Sequence, residues 1–320
     1  MSALPARFPK IPSYRGAADP LQCVQRVVAT EKLDGTNARL GVPADATRPD
    51  QLLVGGRNKM SFEAGFSQPE LTRLLEDAGL QARLLALPQL TQARDVALYG
   101  EVCGGRIQGG AMYGRQPHLV LFAATVGGAW VGYSRVVQPP PDTPALPTLE
   151  QLGAHLRLPL APRLYEGPPD PAALAELVDQ PSAYSQARGV ELRGADITHE
   201  GVVIWSDPAL RDPWGAPLVA KLKHPRRREY SPGRVEAGPE DFAARAVTGE
   251  RLRHARQHLE ADGRWTGDRE AKTTALIKRV LRDISKEVHE YAEQLRVHGK
   301  RDVRAAIKTR ARTLAPAVLD

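Results

Sequence analysis

The chain reads as an α+β protein, built from antiparallel sheets with inserted helices and followed by a small all-helical C-terminal domain. Three observations predict this. Up to about Gly233, short apolar or alternating runs are cut by Gly and Pro turns, which is how β-strands are punctuated. Those runs do not alternate regularly with helices, as a parallel sheet would require. Beyond that point the apolar residues switch to three- and four-residue steps, the helical period. The expected domains are residues 1–233 and 234–320.

In order along the chain, "LLVGG", "VALYGEV", "LVLFAATVGGAWVGY", "GVVIW" and "PLVAKLK" are the strand candidates. "QPELTRLLEDAG" predicts a helix, with Leu71, Leu74 and Leu75 on one face and Gly79 as its stop. "DPAALAELVDQ" predicts another, opened by Pro171 in its first turn. The Pro-rich run from Val136 to Pro147 should be an extended surface loop inside the first domain. "HPRRREYSPGR" (His224 to Arg234) marks the boundary between domains.

Helices follow. One begins around Pro239 with Glu240 and Asp241 in its first turn, where acids suit the positive helix end. A second carries Leu276, Val280, Ile284, Val288 and Tyr291 at helical spacing and stops at Gly299, and a last one stops near Pro316.

Composition narrows the function classes. The chain has 320 residues, 42% of them hydrophobic, enough to bury a sizeable core. Lys and Arg total 44 against 37 acids, a net charge of +7 that favours a polyanionic partner. Cys23 and Cys103 stand far apart in no ligand spacing, so neither a disulfide framework nor a zinc site is written here, and a reducing cytoplasmic setting is expected. His254 and His258 lie one helical turn apart but lack a third ligand nearby, which favours a solvated helix face. No run is long and apolar enough to predict a membrane span or a secretory leader, and a monomer is the simplest expectation.

The chemistry starts at "ATEKLDGTNARL" (Ala29 to Leu40). On these residues alone, a surface lysine beside a tight turn and a nucleophile at the floor of a pocket both fit Lys32. A catalytic lysine needs surroundings that favour its uncharged form, such as burial or neighbouring positive charge. Four later features supply polar groups at strand ends. "VGGRNK" offers Arg57 after two glycines; "LYGEV" offers Glu101; "THEGVVIW" offers Glu200; and in "VAKLKHP" the alternation turns Lys221 and Lys223 to one strand face. Two lysines on one face call for an anion between them, and a phosphate would serve. No Walker A loop, GxGxxG, HExxH or GxSxG is present, so a nucleotide would be held by side chains from sheets rather than by a helix N-terminus.

Taken together and in order, "KLDGTN", "GGRN", "YGEV", "VLFAATV", "EGVVIW" and "AKLK" resemble the collinear motifs of the covalent nucleotidyltransferases, the polynucleotide ligases and capping enzymes. Within them the chain is most similar to ATP-dependent RNA ligases of the RNA ligase 2 and RNA-editing ligase branch, which "FPKIPS", "EK" and "GGRIQGGAMYG" also resemble. The resemblance spans about Phe8 to Arg228.

It implies a nucleotidyltransferase domain in which Lys32 takes AMP from ATP as a lysyl-AMP. Glu31 would then read the adenine edge and Phe122 stack on the base. Arg57 and Glu101 would contact the ribose and orient the lysine or an incoming 5′-phosphate, while Asn37 would help line the nucleotide site. Glu200 would place Mg²⁺ or Mn²⁺, and Lys221 and Lys223 would hold the α-phosphate. The implied substrate is RNA with 5′-phosphate and 3′-OH ends, in a nick or an RNA/DNA hybrid. Asp34 stands where some ligases of this branch have His and where DNA ligases have Asp. A DNA ligase, a GTP-dependent capping enzyme, and a nucleic-acid-binding protein on an inactive scaffold therefore remain the alternatives.

Overall fold

The computed structural model describes residues 5–92, 94–105, 107, 110–133, 145–190, 199–212, 215–224, 238–288 and 290–319. The chain divides into two compact units, Met1–His224 and Pro225–Asp320. The boundary expected near Gly233, the basic "PRRREY" run and most of the Pro-rich loop lie outside the described residues.

Unit 1 holds two antiparallel sheets. The first contains β1 (Val27–Lys32), β7 (Arg163–Gly167), β8 (Gly201–Ser206) and β9 (Val219–Lys223), in the order β7-β1-β8-β9. The second contains β2 (Thr36–Val42), β3 (Leu53–Gly56), β4 (Val96–Cys103), β5 (His118–Val126) and β6 (Ala129–Trp130), in the order β3-β2-β4-β5-β6. β1 and β2 are consecutive in the chain yet belong to different sheets, so the turn at residues 33–35 carries the chain from one sheet to the other.

Period-2 alternation decides which residues enter each core. In the second sheet Ala38, Leu40 and Val42 of β2, Val96, Leu98 and Val102 of β4, and Leu119 and Leu121 of β5 build the largest core. Against it pack α1 (Pro69–Leu74), α2 (Ala78–Leu85), α3 (Leu87–Leu90) and α4 (Leu149–Leu156). In the first sheet Val27 and Ala29 of β1, Val202 and Ile204 of β8 and Ala220 of β9 face α5 (Pro171–Glu176) and the turn that follows it. Each sheet thus buries one face under helices. The other faces of the two sheets meet where Tyr99 of β4 and Trp205 of β8 border one cluster, and a cleft is left beside Lys32, whose side chain is 23% exposed.

One helical reading in this unit changes in detail. The stretch expected as one helix ending at Gly79 is two, because the Asp77 carboxylate accepts from the Leu80 N–H and starts α2. A side-chain cap there outweighs the stop signal of Gly79, which sits inside the first turn of α2. Strand β7 and helix α6 (Ala183–Ala187) carried no distinctive sequence signal, whereas α4 carried an unused one, the Thr148/Gln151 capping box ahead of Leu149, Leu152 and Leu156 at helical spacing.

Unit 2 is helical throughout its described residues: α7 (Gly238–Ala246), α8 (Gly249–Ala261), α9 (Arg269–Glu287), α10 (Glu290–His298), α11 (Lys300–Leu314) and α12 (Pro316–Leu319). Its core includes Phe242, Leu252, Val303 and Ile307 together with Leu276, Val280, Ile284, Val288 and Tyr291, the periodic residues of the sequence. The helix expected to run on to Gly299 is two, because Val288 takes an extended conformation and ends α9 before α10 begins. Arg251 is buried in it and ion-pairs with Glu287 at 3.3 Å, while His254 meets Glu250 at 3.2 Å. No helix among the described residues is long and apolar enough to cross a membrane.

Candidate active site

Lys32 is the last residue of β1, where the strand leaves the sheet. Its row in the first sheet is short: Lys32 pairs with Gly201, and Gly201 pairs with Lys223. Two lysines therefore flank a glycine, with Glu200 just before it. The Lys32 ammonium donates to Glu200 Oε2, and Lys223 Nζ donates to Glu200 Oε1 at 2.8 Å. Glu200 is 4% exposed, so this carboxylate sits between two cations away from bulk solvent. Lys221 lies on the same face of β9, opposite Val203.

Gly201 makes this row possible. Its φ is +152°, and a Cβ there would lie 2.2 Å from the Leu222 carbonyl oxygen. Only glycine lets β8 approach β9 so closely. His199, fully buried, has its ring nitrogens 2.5 Å from the Gly201 oxygen and 2.8 Å from the Leu177 oxygen, which fixes the start of β8 against the turn after α5.

The second sheet supplies the opposite wall. Asn37 and Glu101 are directly paired on β2 and β4, and their alternation puts both on the cleft face. The turn carrying Asp34 and Gly35 presses onto this wall: a Cβ on Gly35 would lie 2.4 Å from the Val102 oxygen and 2.8 Å from Glu101 Cγ. The Asp34 N–H donates to the Tyr113 hydroxyl at 3.0 Å. Asn37 Oδ1 is buried with no hydrogen-bond partner, an acceptor left for something else to satisfy.

Glu101 reports how these groups converge. Burial pushes its carboxyl from the ordinary 4.5 up to about 8; Lys32 and Arg57 pull it down, while Glu200 and Asp34 push it further up. Arg57, exposed just after β3, is thus near enough to act on Glu101. Three carboxylates and two cations from distant parts of the chain share one field.

Phe122 stands in a β-bulge. Tyr99 pairs with Ala123 and Gly100 with Leu121, which leaves Phe122 without a partner on β4. The extra residue turns Phe122 to the cleft rather than to the core that holds Leu121. Its ring borders two clusters, one with Leu33, Cys103, Tyr113 and Tyr184, the other with Tyr99, Trp130 and Trp205.

Glu31 is placed apart from this group. It is 1% exposed, on the β1 face opposite Lys32, and its carboxylate accepts from Ser182 Oγ at 2.5 Å and from the Tyr184 N–H at 2.9 Å. Burial raises its pKa and these bonds oppose the rise. Here Glu31 anchors the start of α6, whose N-cap is Ser182. Sequence reasoning missed Ser182, Tyr184 and Tyr113. A serine two residues before a tyrosine in an unremarkable stretch carries no signal of its own.

The structure thus brings Lys32, Glu101, Glu200 and Lys223 to one cleft, with Asn37, Arg57 and Phe122 on its second-sheet side. The family model described as RNA ligase matches residues 25–216, a span that contains Lys32, Glu101 and Glu200. The chain belongs to the RNA ligase family.

Among solved structures it is similar to a Naegleria gruberi RNA ligase arginine-to-alanine mutant with ATP and Mn, at 16% identity and a TM-score of 0.45, covering 69% of this chain and 56% of that one. A glutamate-to-alanine mutant of the same ligase with ATP and Mn gives 18% identity and a TM-score of 0.43, over 71% of this chain and 60% of that one. A lysine-to-methionine mutant with AMP and Mn gives 17% and 0.41, over 69% and 60%. The chain therefore spans less than two thirds of the length of these relatives. No curated protein matches it.

No group of three or more His, Cys, Asp or Glu among the described residues is arranged to hold a metal ion. A divalent ion in an RNA ligase need not have one. Mg²⁺ keeps several waters and takes one or two carboxylates together with substrate phosphates. Glu200, a single buried carboxylate at the lysine pair, fits a donor set of that kind.

Proposed function

We propose that this member of the RNA ligase family is an ATP-dependent enzyme that seals RNA 5′-phosphate and 3′-OH ends through a lysyl-AMP on Lys32. The observation that carries this reading is the Lys32–Glu200–Lys223 triad set opposite Glu101 across the cleft.

The Lys32 ammonium gives up a proton to solvent before it attacks. The Nζ lone pair then forms a P–N bond to the α-phosphorus of ATP, the bond to the β-phosphate oxygen breaks, and pyrophosphate leaves. An RNA 5′-phosphate oxygen next attacks the same phosphorus, breaking the P–N bond and giving an adenylylated end. A 3′-OH then attacks the 5′-phosphorus, the phosphodiester forms, and AMP departs. Each step moves a phosphoryl or nucleotidyl group, so the protein acts chiefly by positioning and by charge.

Lys221 and Lys223 supply positive charge for the α-phosphate from one strand face. Phe122 is turned to the cleft where a base can stack, and Arg57 and Asn37 stand where a ribose can be met. Glu31 acts on the base indirectly, since its carboxylate is committed to Ser182 and Tyr184. Glu200, with Glu101 and Asp34 nearby, would hold a divalent ion, whose positive charge offsets that of the phosphates. Unit 2, helical throughout its described residues, supports an RNA ligase over a DNA ligase or capping enzyme, in which a β-rich OB domain is expected after the last lysine pair. The enzyme would work on nicked RNA or RNA/DNA hybrids in the cytoplasm, as a monomer.

Incubating the protein with labelled ATP or GTP and Mg²⁺ tests the reading. An acid-labile covalent label from ATP that disappears in Lys32→Ala is expected. A label that survives Lys32→Ala, or no label at all, overturns it.

A further inference from the structure

Residues 5–14, which contain "FPKIPS", run across the cleft from one sheet to the other. On the second sheet, Pro5 is buried against Gly41, where a Cβ would lie 2.8 Å from the proline ring. Arg39 donates from Nη1 to the Pro5 oxygen at 2.9 Å and from Nε to the Gly56 oxygen at 2.7 Å. The Tyr99 hydroxyl lies 3.2 Å from the Ala6 oxygen and donates to it, and Arg7 donates to the Asn58 oxygen at 2.8 Å, next to Arg57.

On the first sheet, the Lys221 N–H donates to the Pro12 oxygen at 2.9 Å and the Tyr14 N–H to the Lys221 oxygen at 2.8 Å. The segment is therefore pinned to β2, β4 and the β3 end on one side, and to the lysine-bearing edge strand on the other. Pro9 and Pro12 restrict its backbone and reduce the entropy lost in holding it extended.

Between the two anchors Phe8 enters an aromatic cluster drawn from both sheets. Its ring centroid is 5.1 Å from those of Tyr99 and Phe122, 5.5 Å from Trp130 and 6.1 Å from Trp205, with interplanar angles of 65° to 89°. Edge-to-face contacts of this kind fix ring orientation as well as adding stability. Phe122 is held at 89° against Phe8 and, through its other cluster, borders Leu33, which directly follows Lys32. A bulged, partly exposed ring with no cross-strand partner of its own needs such a backing to keep one orientation.

We propose that residues 5–14 are a strap that sets the width of the cleft, and that Phe8 is the positioning residue for Phe122 and so for the nucleotide base. This rests on the reading of Phe122 as the base-stacking ring. Phe8 acts through Phe122 and does not itself touch the nucleotide.

The test compares Phe8→Ala and Phe8→Tyr with the parent protein. The ATP concentration giving half-maximal labelling of Lys32 is expected to rise about tenfold in Phe8→Ala, more than the maximal rate falls, and to recover in Phe8→Tyr, which restores an edge-to-face ring. In Phe122→Ala the further change Phe8→Ala should add little, because the residue it positions is gone. Amide hydrogen exchange in Phe8→Ala, read without nucleotide, should quicken at Tyr14 and Lys221 and in β4 and β5. An unchanged half-saturating ATP concentration, or full additivity with Phe122→Ala, overturns the positioning role. Unchanged exchange overturns the strap. Should the parent protein take no label from ATP, the functional reading falls, and hydrogen exchange still decides the strap. If Phe8→Ala does not fold, Phe8→Leu takes its place in every arm.

Discussion

Lys32 donates to Glu200, 168 positions further along the chain, where β1 and β8 lie side by side. Because Lys223 reaches the other oxygen of the same carboxylate, Glu200 holds the nucleophile candidate and the phosphate-binding candidate at one point. Glu200→Gln keeps the shape and removes the charge that both lysines contact. Covalent labelling by ATP is expected to fall about 100-fold or more, the scale of losing a charged group aligned with the reacting centre. Single-turnover labelling at saturating ATP checks this, and a fall of less than threefold would show that the triad is only structural.

Glu101 gives a pH signature. Its folded-state pKa, about 8, lies above the ordinary 4.5, so the native protein holds a proton that the unfolded chain releases between those values. Stability from this group is fully present below about 4.5 and is lost as pH rises towards about 8. Glu101→Gln removes the dependence. Its melting temperature relative to the parent should therefore climb from pH 5 to pH 8.5, as followed by circular dichroism, and a constant difference would refute the buried-carboxyl assignment.

Gly201→Ala places a methyl 2.2 Å from the Leu222 oxygen in a row that cannot widen without separating Lys32 from Lys223. A loss of more than about 2 kcal/mol in unfolding free energy is expected from denaturant titration, at the severe end for a single substitution. Labelling should fall with it even below the melting transition. A stable and active Gly201→Ala protein would mean that β8 and β9 separate readily.

Truncation after about Gly233 should spare lysine adenylation and impair sealing. The reactive groups named here all lie in Met1–His224, which has its own cores. Labelled ATP reads the first activity and a nicked RNA duplex the second. Loss of the Lys32 label on truncation would assign unit 2 a part in the first step.

Much of the site could be read from local pattern. The strand runs, the Pro-opened α5 and the periodic faces of α9 and α11 are set by backbone propensity and by which residues repel water, both of which act over a few residues. The alternation of "VAKLK" by itself places two lysines on one face. The break between α1 and α2 was not legible, because the Asp77 cap that starts α2 outweighs the stop signal of Gly79 just after it.

The sequence by itself determined the residue types, their order and the faces on which they lie, and through these the α+β class and the candidate lysine. Only the tertiary structure decided which groups meet. It joined Lys32 to Glu200, turned Glu31 away to Ser182, swung Phe122 out of its strand through a bulge, and drew Phe8 across to meet it. Local propensity acts between neighbours in the chain. An ion pair, a shared field around a buried carboxyl or a ring against a ring depends on distances that exist only once two sheets have packed.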